Sequence, residues 1–359
     1  MGLITTSFKL TKTIRNISRL REIATVFAKN GLDEFISQNV LNKIPNFVFP
    51  KKNEDLGKVS EHDNSWGDVM GYRLKLCFEE LGPAFVKFGQ LLSTREDIFE
   101  EDFIKHMKML RDQVKPLPFS QVRKDVERSL GKSIESVFEF VDDKPIGTAS
   151  IGLVYKAQLK TGEKVVLKVK RPAIDRLIET DLSILIFLAT QAERATEDIK
   201  FLGFSKVLED FSYSLQSELN FNVEALNCEK MKKVISIYDE NELFHLPLIY
   251  REFSSEDLLV MELIEGISFS DNVKIKECLE DLAPKLDKSV QIFMRCFLNE
   301  GFFHADLHGG NFFYMADGKI ALIDFGLVGN LSKNARHNFI AIIYAILTQN
   351  FENLVYEFL

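Results

Sequence analysis

Residues 301–329 read GFFHADLHGGNFFYMADGKIALIDFGLVG, and this stretch decides the fold. Asp306 and Asn311 stand in an H-x-D-x-x-x-x-N spacing, and Asp324 of Asp324-Phe325-Gly326 follows 18 residues after Asp306. Phosphoryl transfer on a kinase-like scaffold needs this set: one carboxylate at a catalytic loop, then a carboxamide and a second carboxylate for Mg²⁺. Two short apolar runs, residues 312–315 and 319–323, flank Asp317-Gly318 and predict a hairpin that keeps the two elements in register. An isolated Asp-Phe-Gly is usually a strand end followed by a turn. Here the two signatures occur in order, which that bland reading does not explain. His304 and His308 could instead form a metal set with Asp306, as in a hydrolase. The other histidines, His62, His106, His245 and His337, are scattered and complete no such set.

A kinase-like site also needs an upstream half. Residues 144–155, KPIGTASIGLVY, predict a tight turn between strands, with Gly147, Ala149, Ser150 and Gly152 small enough to let phosphate approach the backbone. Lys168 follows Gly152 by 16 residues, inside the apolar run Val165-Val166-Leu167-Lys168-Val169. Most strand lysines line a wet edge. A buried ammonium needs a ligand or an acidic partner, and Glu224 of Glu224-Ala225-x-Asn227 is the expected partner. Residues 204–227 carry apolar positions at helical spacing with Glu218 and Glu224 further along, although such acids commonly form a solvated face. The 56 positions between Lys168 and Glu224 call for an inserted helix, expected over residues 173–193. Leu258-Leu259-Val260-Met261-Glu262 reads as the last strand of this lobe and precedes Ile264-Glu265-Gly266, which resembles a kinase hinge where backbone groups meet adenine; Glu262 and Leu263 are counted with that cofactor site.

Taken together these motifs resemble the UbiB/ADCK family of atypical kinase-like proteins, in particular its bacterial ubiquinone-biosynthesis members. Lys87-Phe88-Gly89-Gln90, within LGPAFVKFGQLLSTREDIF, matches the family's K-x-G-Q helix, which ordinary kinases lack. The small-residue loop matches the family's alanine-rich loop, Lys168 with Arg171-Pro172 its lysine strand, Glu218-Leu219-Asn220 its E-x-D element, and residues 304–311 its H-A-D-x-H-x-G-N loop. Departures are Asn220 for aspartate, Gly147 and Thr148 for alanines, and Leu307 and Gly309 where proline is usual. The family's usual C-terminal pair of membrane helices is not expected within these 359 residues.

The resemblance implies an α+β, two-lobed protein-kinase-like fold with an N-terminal helical extension, binding ATP and Mg²⁺. By that resemblance Lys168 meets the α/β-phosphates, Glu224 positions it, Asn311 and Asp324 take Mg²⁺, and Asp306 is the catalytic base or water-orienting group. Lys87, Gln90 and Glu218 would exclude a protein substrate, which favours ATPase-like action. The implied setting is ubiquinone biosynthesis, with lipid quinone precursors or pathway proteins as partners, peripherally on the cytoplasmic face of a bacterial inner membrane.

Composition agrees. The chain is 46% hydrophobic and 27% charged, the balance of a globular protein large enough for two lobes and an extension. Its 31 phenylalanines and single tryptophan predict a Phe-filled core, and a net charge of −8 argues against general nucleic-acid binding. The four cysteines lack C-x-x-C spacing, which favours reduced thiols over a disulfide scaffold. The expected division is an amphipathic helical N-terminus over 1–50, a polar linker over 51–66 and a helical extension with the K-x-G-Q motif over 67–136. A kinase-like N-lobe with the inserted helix follows over 137–263, and a shortened helical C-lobe over 264–359, where Leu286, Val290, Phe293 and Phe297 form one stripe and Gly301 a stop.

Gly131-Lys132-Ser133 imitates a P-loop tail, but Val126 stands where its first glycine belongs, so an interhelical turn is expected. Met1-Gly2 with Thr6 matches a myristoylation pattern that many chains share. No apolar run is long enough to span a membrane. Basic residues dominate the first thirty positions, with Leu10, Ile14, Ile17, Leu20 and Ile23 near helical spacing; this suits a solvated helix, a mitochondrial leader or, by preference, a membrane-surface helix. Rival functions are a non-catalytic nucleotide-binding scaffold and a small-molecule kinase, the second of which would not need the K-x-G-Q helix. A quinone-ring hydroxylase finds no dinucleotide, haem or iron motif.

Overall fold

The computed structural model describes residues 17–32, 65–110, 115–195 and 204–350. Leu10 and Ile14, expected on a membrane-surface helix, the Met1-Gly2 pattern, most of the polar linker and residues 351–359 lie outside them. The chain forms two compact units that interleave in sequence: Met1–Leu117, Gly147–Leu153 and Lys170–Gln216 in one, Pro118–Ile146, Val154–Val169 and Ser217–Leu359 in the other.

Over its described residues the first unit is mainly helical. Helices Trp66–Leu81 and Pro83–Leu92 are separated by Gly82 alone, at φ 101°. Glycine tolerates that conformation, and Pro83 starts the next helix where its missing N–H has no intrahelical role. Phe78, Phe85, Phe88, Phe103 and Met107 fill the core, with Ile184 and Leu185 from the inserted helix Ile174–Ala195 and Leu208 from Phe204–Glu218. Burying each such side chain is worth about 1.5–3 kcal/mol. Gly89 of the K-F-G-Q sequence lies where a Cβ would sit 2.2 Å from Leu110 Cδ1 and 2.7 Å from Phe78 Cδ2, so close helix packing accounts for the glycine.

Residues 17–29 are helical, and their apolar face belongs to this same core: Ile23, Ala24 and Val26 are buried. Arg19 donates to both carboxylate oxygens of the fully buried Asp181 at 2.7 and 2.9 Å and to the Leu81 carbonyl at 2.6 Å. Of the expected membrane-surface stripe, Ile23 is buried and Leu20 packs against this core, while Ile17 is half-buried. Arg19 beside it has a buried carboxylate to satisfy, which the sequence spacing could not reveal.

In chain order the strands are β1 (Phe138–Val141), β2 (Gly147–Thr148), β3 (Gly152–Leu159), β4 (Lys164–Lys170), β5 (Phe244–His245), β6 (Leu258–Glu262), β7 (Ile267–Ser268), β8 (Phe302–His304), β9 (Phe312–Tyr314), β10 (Ile320–Leu322) and β11 (Val328–Asn330). One sheet runs β1-β3-β4-β6, with β2 paired to β3. Lys168 pairs in register with Leu259 of β6. A second sheet runs β5-β10-β9-β7, and the buried β10 delivers the chain to Asp324. The β9–β10 hairpin turns at Gly318, φ 81°, as the Asp317-Gly318 pair predicts.

Residues 204–227 are two helices, not one continuous segment. The first ends at Glu218; the second, Phe221–Ser236, starts from Asn220, whose side chain accepts from the Asn222 N–H at 3.0 Å. Asn220 is thus an N-cap, a role that asparagine fills as well as aspartate. This helix joins two cores within the second unit. Phe221 and Ala225 pack on Val166, Leu259 and Met261, while Cys228, Met231 and Val234 pack with Phe244, Leu322 and Phe325. In the Leu279–Arg295 helix the buried positions are Leu282, Ser289 and Ile292, and Val290 is exposed at 61%, so the stripe is rotated from the expected one. Gly301 does end the following turn at φ 68°. Gly131 is left-handed at the end of Phe119–Leu130, and Ser133 opens the next short helix, so the P-loop look-alike is an interhelical turn.

Candidate functional site

Lys168 is the centre of the best-defined polar cluster. Its ammonium lies 2.7 and 2.8 Å from the two carboxylate oxygens of Glu224 and 3.2 Å from Asp324 Oδ2. Strand β4 supplies the lysine because the valines and leucine around it hold the strand in the sheet core, and the Phe221–Ser236 helix supplies the glutamate from its first turn. Burial alone would lower the Lys168 pKa, but Asp324 and Glu224 outweigh it and hold the ammonium above its ordinary value. Lys168 keeps the Asp324 carboxyl at about 2, against burial and with help from the Gly326 N–H. Glu224 is pushed up by its burial, an effect that Lys168 only partly offsets.

The H-x-D loop and the Asp-Phe-Gly segment are laced together. His304 is buried, and its Nδ1 accepts from the Asp306 N–H at 3.1 Å; the ring proton therefore sits on Nε2, which donates to the Asp324 carbonyl at 2.6 Å. Both ring nitrogens are committed to the backbone, so His304 is no metal ligand. The Ala305 N–H donates to Leu327 O, and the Ile323 N–H to Asn311 O, both at 3.1 Å. Buried Asn311 uses its Nδ2 on the Asp306 carbonyl at 3.1 Å, leaving its amide oxygen as a side-chain acceptor. The Asp306 side chain is 61% exposed, with His308 Nε2 3.9 Å away.

Mg²⁺ is the metal that the family resemblance implies, and two residues have donor chemistry that suits it. Asp324 offers an ionised carboxylate exposed at 43%, and Asn311 a carboxamide oxygen, both hard oxygen donors of the kind Mg²⁺ takes alongside phosphate and water.

Two further features escaped sequence reasoning. In the loop at residues 147–153, which carries Gly147 and the buried Ser150, the Ala149 N–H bonds Gly152 O at 2.9 Å. Arg171 Nε donates to Ala149 O at 3.0 Å, while the guanidinium nitrogens reach Lys115 O at 3.1 Å. The Arg171-Pro172 dipeptide after the lysine strand thus anchors this loop. At the end of β6, the Glu262 carboxylate takes His245 Nε2 at 2.9 Å and the Leu248 N–H at 3.1 Å, and the Leu263 N–H bonds Lys164 O at 3.1 Å. Lys87 and Gln90 share the half-buried face of Pro83–Leu92, opposite the buried Phe85, Val86 and Phe88, and Glu218 closes its own helix.

An antiparallel sheet with an ion-paired lysine, a linking helix and a laced pair of H-x-D and Asp-Phe-Gly segments define a two-lobed protein-kinase-like fold with a helical extension. The family model of the ABC1 atypical kinase-like domain matches residues 109–357. Proteins described as "Probable protein kinase UbiB" are similar over most of the chain. That of Marinobacter nauticus is 35% identical over 328 residues, covering 88% of this chain and 57% of the relative. That of Pseudomonas fluorescens SBW25 is 35% identical, covering 79% and 51%; that of Actinobacillus pleuropneumoniae is 31% identical, covering 90% and 59%. The chain spans about half to three fifths of the length of these relatives. Among solved structures, the complex of Rv3197 with erythromycin from Mycobacterium tuberculosis superposes with a TM-score of 0.52 at 24% identity, over 77% of this chain and 69% of that one. The chain belongs to the UbiB/ADCK family of atypical kinases.

Proposed function

We propose that this chain binds ATP with Mg²⁺ around Lys168 and Asp324 and acts as an ATPase or atypical kinase in support of ubiquinone biosynthesis. The observation that carries the reading is the Lys168 ammonium held between Glu224 and Asp324 within 3.2 Å. A buried ion pair of this kind is a weak source of stability, so its presence favours a ligand-directed role. Lys168 is assigned to the α/β-phosphates and Glu224 to its positioning. Gly147, Ala149, Ser150 and Gly152 are assigned to the phosphate-approach loop, and the backbone at Glu262 and Leu263 to adenine. Asn311 and Asp324 would hold Mg²⁺, which when bound would neutralise charge on the phosphate oxygens. Asp306, exposed and acceptor-only when ionised, is assigned to the attacking hydroxyl or water. Catalysis is then chiefly positioning and charge neutralisation.

The K-F-G-Q sequence supports ATP hydrolysis or a small acceptor over protein phosphorylation, with Lys87, Gln90 and Glu218 restricting the acceptor. Among the described residues no helix is long and apolar enough to cross a membrane. Lipid quinone precursors or pathway proteins as partners, and a peripheral place on the cytoplasmic face of an inner membrane, follow from the family's pathway. The test is ATP turnover of the purified protein with and without anionic vesicles, beside lipid profiling of a deletion strain. Turnover that Asp306→Asn abolishes, with a polyprenylphenol accumulating in the strain, is expected. Nucleotide binding without any turnover would leave a scaffold.

A further inference from the structure

Asn227 stands one helical turn beyond Glu224 and has no place in the chemistry assigned above. Its Nδ2 donates to the Phe325 carbonyl at 3.0 Å. Glu224, one turn earlier on the same face, has its raised pKa partly drawn back down by the Phe325 backbone N–H. One face of one helix therefore bears on the residue that follows Asp324 from positions i and i+3. The neighbouring groups are fixed as well: His304 holds the Asp324 carbonyl, the Gly326 N–H bonds Asp324 Oδ1 at 2.9 Å, and the Phe325 ring is buried at 1% exposure.

We propose that Asn227 is a positioning residue for the metal-facing carboxylate. By tying Phe325 to the helix that pairs Lys168, it makes the placement of the lysine and of Asp324 a single mechanical unit, so that moving the helix displaces both. Glu224 cannot do this alone. A carboxylate only accepts, and the Phe325 carbonyl needs a donor, which an asparagine supplies and an aspartate of the same shape does not. The inference rests on the reading of Asp324 as a Mg²⁺ ligand and deepens it.

The test compares the parent protein with Asn227→Asp, Asn227→Leu and Asn227→Gln, each first checked for parental folding by thermal melting. ATP affinity is titrated across Mg²⁺ concentrations and in EDTA, and amide exchange at Phe325 and Gly326 is followed without nucleotide. Asn227→Asp and Asn227→Leu are expected to raise the Mg²⁺ concentration at half-saturation about tenfold, the effect of losing one well-placed hydrogen bond. Metal-free affinity should stay parental, and exchange at both amides should quicken. Asn227→Gln keeps the donor and should recover part of each effect. A Mg²⁺-binding parent with variants of parental Mg²⁺ dependence and parental exchange overturns the proposal alone. A parent that binds no Mg²⁺-nucleotide overturns the nucleotide reading and, with it, any metal-positioning role for Asn227.

Discussion

Replacing Lys168 with methionine should expose how the buried cluster is balanced, and its effect should depend on pH. At an effective dielectric of about 20, a charge pair near 3 Å is worth roughly 5–6 kcal/mol, most of it offset by desolvation of both groups. Deleting one partner of such a pair typically costs about 3–5 kcal/mol, because the other charge stays buried alone. Glu224 is nearly inaccessible, so in Lys168→Met it is that lone charge, and protonation is its escape. Burial already raises its folded pKa, and losing the lysine raises it further. A group with a raised folded pKa contributes stability below its unfolded value, about 4.5, and loses it as pH rises toward the folded value. The variant should therefore be destabilised by only about 1–2 kcal/mol near pH 5 and by about 3–5 kcal/mol near pH 8, with a slope of up to ~1.4 kcal/mol per pH unit between. Asp324, exposed at 43%, should relax toward its ordinary pKa with little added cost, since water screens it. Urea denaturation over a pH series measures this. A further Glu224→Gln change should remove the slope. Equal losses at pH 5 and pH 8, or none at either, would refute the reasoning.

Gly89→Ala should destabilise the helical unit by about 1–3 kcal/mol, since its Cβ would meet Leu110 and Phe78 inside the core; a parental melting temperature would show that the glycine is not there for packing. Because Lys168 holds Asp324 at about 2, below the ordinary value, the carboxylate contributes stability at pH values above its unfolded pKa of about 3.8 and loses it as pH falls toward 2. Acid titration of stability should lose that limb in Asp324→Asn, and an unchanged acid limb would contradict the pairing.

The geometry around Lys168 was legible because it depends on residue type at fixed chain spacing. Asp306, Asn311 and Asp324 share a short hairpin segment, and Lys168 announces itself as a cation in an apolar strand. Even the Lys168–Glu224 pairing across 56 positions could be inferred, since a buried ammonium needs an acid and Glu224 of Glu-Ala-x-Asn follows a largely apolar run. What stayed hidden were hydrogen bonds from side chains to distant backbone. Arg171 on Ala149 O and Asn227 on Phe325 O recognise carbonyls that every residue possesses, so no residue type marks the other end. Helix phase was similarly elusive. The break at Leu219 and Asn220 follows from an N-cap, a position asparagine prefers to a helix interior, although the apolar spacing around it suggests one continuous helix; and Arg19, one of the N-terminal basic residues, is held by the buried Asp181.

The most direct test of the central claim is calorimetric titration of ATP, with and without Mg²⁺, into the parent protein, Asp324→Asn and Asp306→Asn. Binding should tighten with Mg²⁺ in the parent and in Asp306→Asn, which should nevertheless fail to turn ATP over, whereas Asp324→Asn should lose the Mg²⁺ dependence. Equal affinity and equal Mg²⁺ dependence in all three proteins would contradict the account.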